Sequence, residues 1–125
     1  MPAGMSIHVV DVSQGVVARG MRVEVYRQPD GSSAAASGRE VIAAGEIDAT
    51  GVLPAPQLTG PAVGRGRYEV WFHIADYYRT QSVPLPQVPF LDIVRYEFGI
   101  DDTSQHYHLP MKTTPWGYSC FRGGA

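Results

Sequence analysis

The chain has 125 residues, one cysteine, 14 glycines, 10 prolines and a formal net charge of −2. That length fits one domain over 1–125 and can bury roughly 65–70% of the unfolded surface, while the lone Cys120 excludes an internal disulfide and fits a reducing compartment. Scattered Lys and Arg argue against a nucleic-acid or anionic-membrane surface, and with no apolar run near 18 residues and no apolar segment after the first methionine, neither a spanning helix nor a secretory signal is expected and the location is expected to be cytoplasmic.

Glycine and proline are spread without a period, so they punctuate many short elements. Met5–Val12 alternates as a strand, with Ser6, His8, Val10 and Val12 on one face and Ile7, Val9 and Asp11 on the other. Residues 16–20 read as a turn region. Met21–Tyr26 alternates again. Gln28–Gly38 reads as a surface loop, Glu40–Ile47 as a weaker strand, Asp48–Gly51 as a turn and Val52–Leu53 as a strand stub. Pro54–Gly66 reads as loop. Arg67–Ile74 is the clearest strand, placing Tyr68, Val70 and Phe72 opposite Glu69, Trp71 and His73. The pattern then predicts a turn or two of helix in Ala75–Ser82 and strands over Phe90–Phe98, Ser104–Lys112 and Trp116–Phe121, with a tight turn at Thr114–Gly117. About eight short strands at roughly 8 to 14-residue spacing imply an all-β, two-sheet sandwich with Greek-key-like connections. Such a fold hosts many functions, so activity has to be argued from residues.

Of the four histidines, His8 and His108 stand out as a pair. Each sits on an alternating strand near one end of the chain, and terminal strands of a sandwich can meet. Two imidazoles that titrate near neutrality suit general acid–base work. His106 shares a strand face with His108, while Tyr107 points away. A His-x-His pair could hold zinc, but no third ligand stands at metal spacing, so no metal is expected. Ser119 is a possible nucleophile without a Gly-x-Ser-x-Gly elbow. Cys120 reads as a small buried or half-buried residue rather than a nucleophile. Arg122, beside Gly123 and Gly124, could grip a carbonyl or an anion. Asp101 and Asp102 read as a turn.

The tail His106-Tyr-His-Leu-Pro-Met-Lys-Thr-Thr-Pro-Trp-Gly-Tyr-Ser-Cys-Phe-Arg-Gly-Gly124 resembles the ending of 5-hydroxyisourate hydrolases, the enzymes of the transthyretin-like family. Their typical ending is Tyr-His-(Val/Ile)-Pro, three apolar residues, then Ser-Pro-(Tyr/Phe)-Gly-Tyr-Ser-Thr-Tyr-Arg-Gly-Ser. Ser6–Gly15, Arg22–Arg27 and Gly66–Val70 with Ala75–Tyr78 are similar to other parts of the family pattern. The resemblance implies a transthyretin-like (prealbumin-like) β-sandwich of two four-stranded sheets with one short helix, assembled as a homotetramer (a dimer of dimers). It further implies a cofactor-independent hydrolase that opens the pyrimidine-side ring of its small purine-derived substrate. By the family motifs, His8, His108 and Ser119 correspond to catalytic positions, and Phe121, Arg122, Gly123 and Gly124 to the substrate-binding tail. Transthyretin itself lacks both histidines and the Arg-Gly tail, which favours an enzyme here.

The departures share a direction. Val52 stands where the family has a catalytic arginine, Phe121 replaces a tyrosine, Cys120 a threonine and Gly124 a serine; Met111-Lys112-Thr113 replaces the apolar triplet. A pocket that offers fewer donors should prefer a substrate with fewer polar edges. The expected substrate is therefore 5-hydroxyisourate or an N-methylated form of it, arising from urate or a methylxanthine. A second reading is a non-catalytic small-molecule binder that has lost the family arginine. The sequence leaves open which histidine is the base, and whether Arg39, Arg65 or Arg79 replaces the missing arginine in space.

Overall fold

The computed structural model describes residues 3–29, 38–60 and 63–124. Eight strands and one helix lie within them: β1 (Gly4–Asp11), β2 (Val16–Val17), β3 (Arg22–Arg27), β4 (Glu40–Glu46), β5 (Gly66–His73), α1 (Ile74–Thr80), β6 (Ile93–Ile100), β7 (His106–Thr114) and β8 (Gly117–Cys120). They form two four-stranded sheets, β2-β1-β7-β8 and β4-β3-β5-β6. This is the expected all-β sandwich with one short helix.

The inward residues follow the period of two. Met5, Ile7 and Val9 of β1 and Leu109 and Met111 of β7 face Val23, Val25, Tyr68, Val70 and Phe72 of the other sheet, all at most 2% exposed. At about 25 cal/mol per Å² of apolar area removed from water, this layer is the main force holding the sheets together. Because it consumes one face of each strand, the residues between are committed to the outside. Ser6, His8 and Val10 on β1, and His108, Pro110 and Lys112 on β7, therefore emerge on the outward face of one sheet.

One buried polar group ties α1 to this sheet. Asp11, fully buried, accepts hydrogen bonds from the Tyr77 and Tyr78 hydroxyls at 3.0 and 2.8 Å, from the Ser13 hydroxyl at 2.6 Å and from Gln14 Nε2 at 2.6 Å. Burial by itself would raise its pKa; these donors outweigh burial and hold it below the ordinary carboxylate range.

Three expectations change. Residues 16–20 were expected as turn alone, but Val16 and Val17 pair back on Asp11 and Val10, because Gly15 at φ 73° closes a hairpin whose N–H reaches the Asp11 carbonyl at 2.9 Å. Val52–Leu53 is not a strand: Val52 makes one isolated bridge, to His8. The strand expected over Phe90–Phe98 runs Ile93–Ile100, since the prolines at 84, 86 and 89 cannot feed a ladder. The expected loop Pro54–Gly66 contains a 3₁₀ turn at Pro56–Leu58; most of the expected loop Gln28–Gly38 lies outside the described residues.

Candidate active site

β1 and β7 run parallel in the centre of their sheet, with Ser6 opposite His108 and His8 opposite Pro110. The parallel pairing brings the two ends of the chain side by side. In a parallel pair, residues in register leave on the same face, so Ser6, His8 and His108 cluster there. The rings of His8 and His108 lie 6.5 Å apart, centre to centre, tilted by 45°. Both are half-buried.

Each ring is held from behind. The Ser6 hydroxyl lies 2.7 Å from His108 Nδ1 and 2.8 Å from His106 Nε2, so it bridges two imidazoles on one strand. His8 leans on the turn Asp48–Gly51. Its Nε2–H donates to the Thr50 carbonyl at 3.2 Å, and since a carbonyl only accepts, that nitrogen carries a proton while the bond lasts. The turn is built by Asp48, whose Oδ1 accepts from the Thr50 N–H at 2.8 Å and the Thr50 hydroxyl at 2.6 Å. Gly51 closes it at φ 88°. A side chain there would put a β-carbon 2.6 Å from His8 Nε2 and 2.8 Å from a Val17 methyl, so both the backbone and the neighbouring ring demand glycine. Beyond the turn, Val52 pairs with His8. The position that lacks the arginine is thus His8's immediate cross-strand neighbour.

The tail continues past β8 alongside β7. Cys120 pairs with Met111, and the Gly123 N–H donates to the His108 carbonyl at 2.7 Å. Phe121 and Gly123 therefore fall on the histidine face, and a β-carbon on Gly123 would stand 3.0 Å from His108 Cδ2. Alternation turns Arg122 the other way. Its guanidinium stacks on Tyr107 at 4.1 Å and donates to Gln105 Oε1 at 2.7 Å and the His106 carbonyl at 3.3 Å. Tyr107 leaves β7 on the face opposite His108, so within one chain Arg122 does not join the two histidines. Ser119 shares their face but pairs with Lys112, four residues along β7 from His108. At about 3.3 Å per residue that separation is about 13 Å, so Ser119 does not join them either. Gly124 is exposed at the end of the described tail.

The electrostatics favour a neutral His108. Burial lowers its pKa below the usual 6.5, and the nearby imidazoles of His8 and His106 lower it further, because two cations so close repel. The Cys120 thiol is pushed up to about 11 by burial, so it carries no thiolate near neutrality.

None of the three arginines offered as replacements lies here. Arg39 binds Glu69 on the other sheet at 3.0 Å, Arg65 binds Asp101 at 2.7 Å, and Arg79 binds Asp76 within α1 at 3.0 Å. The cation that the register does place on the histidine face is Lys112, opposite both Val10 and Ser119. Sequence reasoning noted Lys112 only as an interruption of an apolar triplet. It also missed Ser6, whose place opposite His108 needs the parallel register, although its alternation with His8 was visible.

Sandwich and site together define a class: an all-β protein that presents two imidazoles, with no carboxylate partner among the described residues, on the outward face of one sheet. Residues 5–123 match the sequence model of the HIUase/Transthyretin family. The chain is similar to 5-hydroxyisourate hydrolase 2 of Rhizobium meliloti, 35% identical over 95% of this chain and 94% of that protein. It is also similar to the 5-hydroxyisourate hydrolase of Deinococcus radiodurans, 36% identical over 96% of this chain and 95% of that protein. Among solved structures, (S)-allantoin synthase superposes with a TM-score of 0.86 at 28% identity over 98% of this chain, which spans 44% of that longer chain. The chain belongs to the HIUase/transthyretin family, and it is a hydrolase. No helix among the described residues is long and apolar enough to cross a membrane.

Proposed function

We propose that this chain hydrolyses 5-hydroxyisourate, or an N-methylated 5-hydroxyisourate, by opening the pyrimidine-side ring in urate or methylxanthine breakdown. The observation that carries this reading is the pair of imidazoles 6.5 Å apart on one outward face, with Val52 as the direct neighbour of His8. Amide hydrolysis needs a base to deprotonate water and an acid to protonate the departing nitrogen, a division of labour worth roughly 10²–10⁴-fold. His108 is the base in this reading, because its lowered pKa keeps a lone pair available near neutrality. His8 takes the other role, oriented by Thr50. The developing oxyanion is met by backbone N–H groups of the tail.

The N-methyl preference is supported by what replaces the arginine. An aliphatic side chain beside His8 meets a methyl group and leaves no unpaired donor behind it. The test is to compare turnover of freshly generated 5-hydroxyisourate with that of its trimethyl analogue. Preference for the analogue supports the methylated substrate; equal or greater preference for the unmethylated compound refutes it. Val52→Arg should move the preference toward the unmethylated compound by roughly tenfold or more, the size of one charged hydrogen bond.

A single chain leaves the histidine face open. The concavity of about 420 Å³ lined by Arg65, Gly66, Arg67, Gly99, Ile100 and Asp101 lies at the ends of β5 and β6, away from it. Exposed Trp116, Tyr118 and Phe121 beside the face support closure by a second copy, in the homotetramer that the family resemblance implies. Light scattering on the purified chain tests that assembly. The placement of Arg39, Arg65, Arg79 and Arg122 away from the histidines favours the rival reading, a non-catalytic binder. Unaccelerated decay of the substrate in the presence of the protein would establish the rival.

A further inference from the structure

The Ser6 hydroxyl has one proton, yet it touches two ring nitrogens, His108 Nδ1 at 2.7 Å and His106 Nε2 at 2.8 Å. No other side-chain partner of Ser6 Oγ is present among the described residues. Two proton arrangements then satisfy all three groups. In one, His106 Nε2–H donates to Ser6 and Ser6 donates to His108 Nδ1, which forces the neutral His108 to carry its proton on Nε2. In the other, His108 Nδ1–H donates to Ser6 and Ser6 donates to His106 Nε2, which leaves His108 Nε2 bare. Nε2 is the ring nitrogen that Ser6 leaves unengaged, so the direction of a single hydroxyl decides whether His108 offers a lone pair or a proton there.

We propose that Ser6 is a positioning residue that holds His108 in the tautomer with Nδ1 protonated and Nε2 bare, and that His106 fixes the direction by accepting the Ser6 proton. This rests on the reading of His108 as the base. The three groups suit the task. His106 is 5% exposed, so bulk water does not compete for the serine proton. Ser6 and His108 are register partners in the middle of a central parallel pair, where strand alternation fixes both side chains on one face. When His108 Nε2 takes a proton from water, a new N–H bond forms and hydroxide is released toward the substrate carbonyl. The positive charge on the ring is met at Nδ1–H by the Ser6 oxygen. That oxygen accepts more strongly because its own proton is engaged with His106. The opposite arrangement has no lone pair at Nε2 and admits no such step.

The experiment reads the tautomer directly. Long-range ¹H–¹⁵N spectra of the uniformly labelled full chain, recorded above the His108 pKa, should show His108 protonated at Nδ1 and bare at Nε2. Ser6→Ala should give a mixture of the two forms and lower kcat by about 10–100-fold, within the range of general-base catalysis, with KM within about twofold. Ser6→Thr keeps the hydroxyl on a residue suited to a strand and should keep both the tautomer and most of kcat. His106→Leu leaves His108 and the Ser6 hydroxyl in the chain, yet it removes the acceptor of the serine proton; it should shift the His108 proton toward Nε2 and lower kcat. A wild-type His108 protonated at Nε2 overturns the proposal, as does a Ser6→Ala chain with unchanged tautomer and kcat. A chain that shows the expected tautomer but turns over neither substrate supports the tautomer assignment and defeats the hydrolase reading, so the two failures are told apart.

Discussion

The two outward sheet faces carry similar residue types and use them in opposite ways. On the β4-β3-β5-β6 face the histidine and several charged groups are locked to partners. His73 meets Glu24 at 2.7 Å, Glu69 accepts from Arg39 at 3.0 Å, from Gln28 at 3.1 Å and from Trp71 at 2.7 Å, and Arg95 stacks on Trp71 at 4.3 Å. On the β2-β1-β7-β8 face, His8 leans on a carbonyl, His108 on a hydroxyl, and Lys112 has no ion pair among the described residues. A histidine locked to a carboxylate has its proton committed. One held by a neutral group keeps a ring nitrogen for chemistry. The contrast shows that it is the partner of a strand histidine, more than its presence, that separates structure from reactivity.

The largest effect should separate the histidines. His8→Asn and His108→Asn should each lower kcat/KM by at least about 100-fold, whereas His73→Asn should change it by less than about threefold. Steady-state kinetics on the three variants checks this, and a loss below tenfold in His8→Asn or His108→Asn would remove that residue from its role. Next in size is Gly51→Ala. The left-handed backbone and the close approach of His8 should cost about 1–3 kcal/mol of stability and displace the ring, seen as a lower Tm together with lost turnover.

The pH profile is a finer probe. His108 acts as base only when neutral, and its pKa is lowered by burial and by the other imidazoles. Activity should therefore persist as pH falls below the usual 6.5, and drop only through the lowered value. Stability moves with it. In that window the unfolded chain binds the His108 proton and the folded chain does not, so the fold weakens as pH falls through 6.5 and is unaffected by this group above it. An acid limb above 6.5 would break the assignment of His108 as base. The smallest effect belongs to the paired face: Glu24→Gln weakens the half-buried Glu24–His73 hydrogen bond, worth about 0.5–1 kcal/mol, and should shift Tm slightly with no change in turnover.

Much of this molecule was legible in the sequence. Alternation gave the strands, and the face of each side chain on β1, β5 and β7, because a period of two leaves little choice once one face must be buried. The turns at Asp48–Gly51 and Thr114–Gly117 were readable from their residues. At the second, Thr114 Oγ1 accepts from the Trp116 and Gly117 N–H groups at 3.1 and 3.0 Å. The pairing of His8 with His108 was readable only as a possibility. Arg122 and Ser119 show what was not: both belong to the tail motif, yet alternation sends the arginine to Tyr107 and register leaves the serine beside Lys112.

By itself the sequence determined which residues face out and which face in, since local sterics and the burial of apolar area act strand by strand. Only the tertiary structure decided which outward residues became neighbours. That depends on the parallel registration of two strands about a hundred positions apart in the chain, which sets Ser6 against His108 and lets the turn at Thr50–Gly51 reach His8. No local pattern encodes such a register; it is fixed when the two inner faces pack, because a slip of one residue would carry every buried side chain to the solvent.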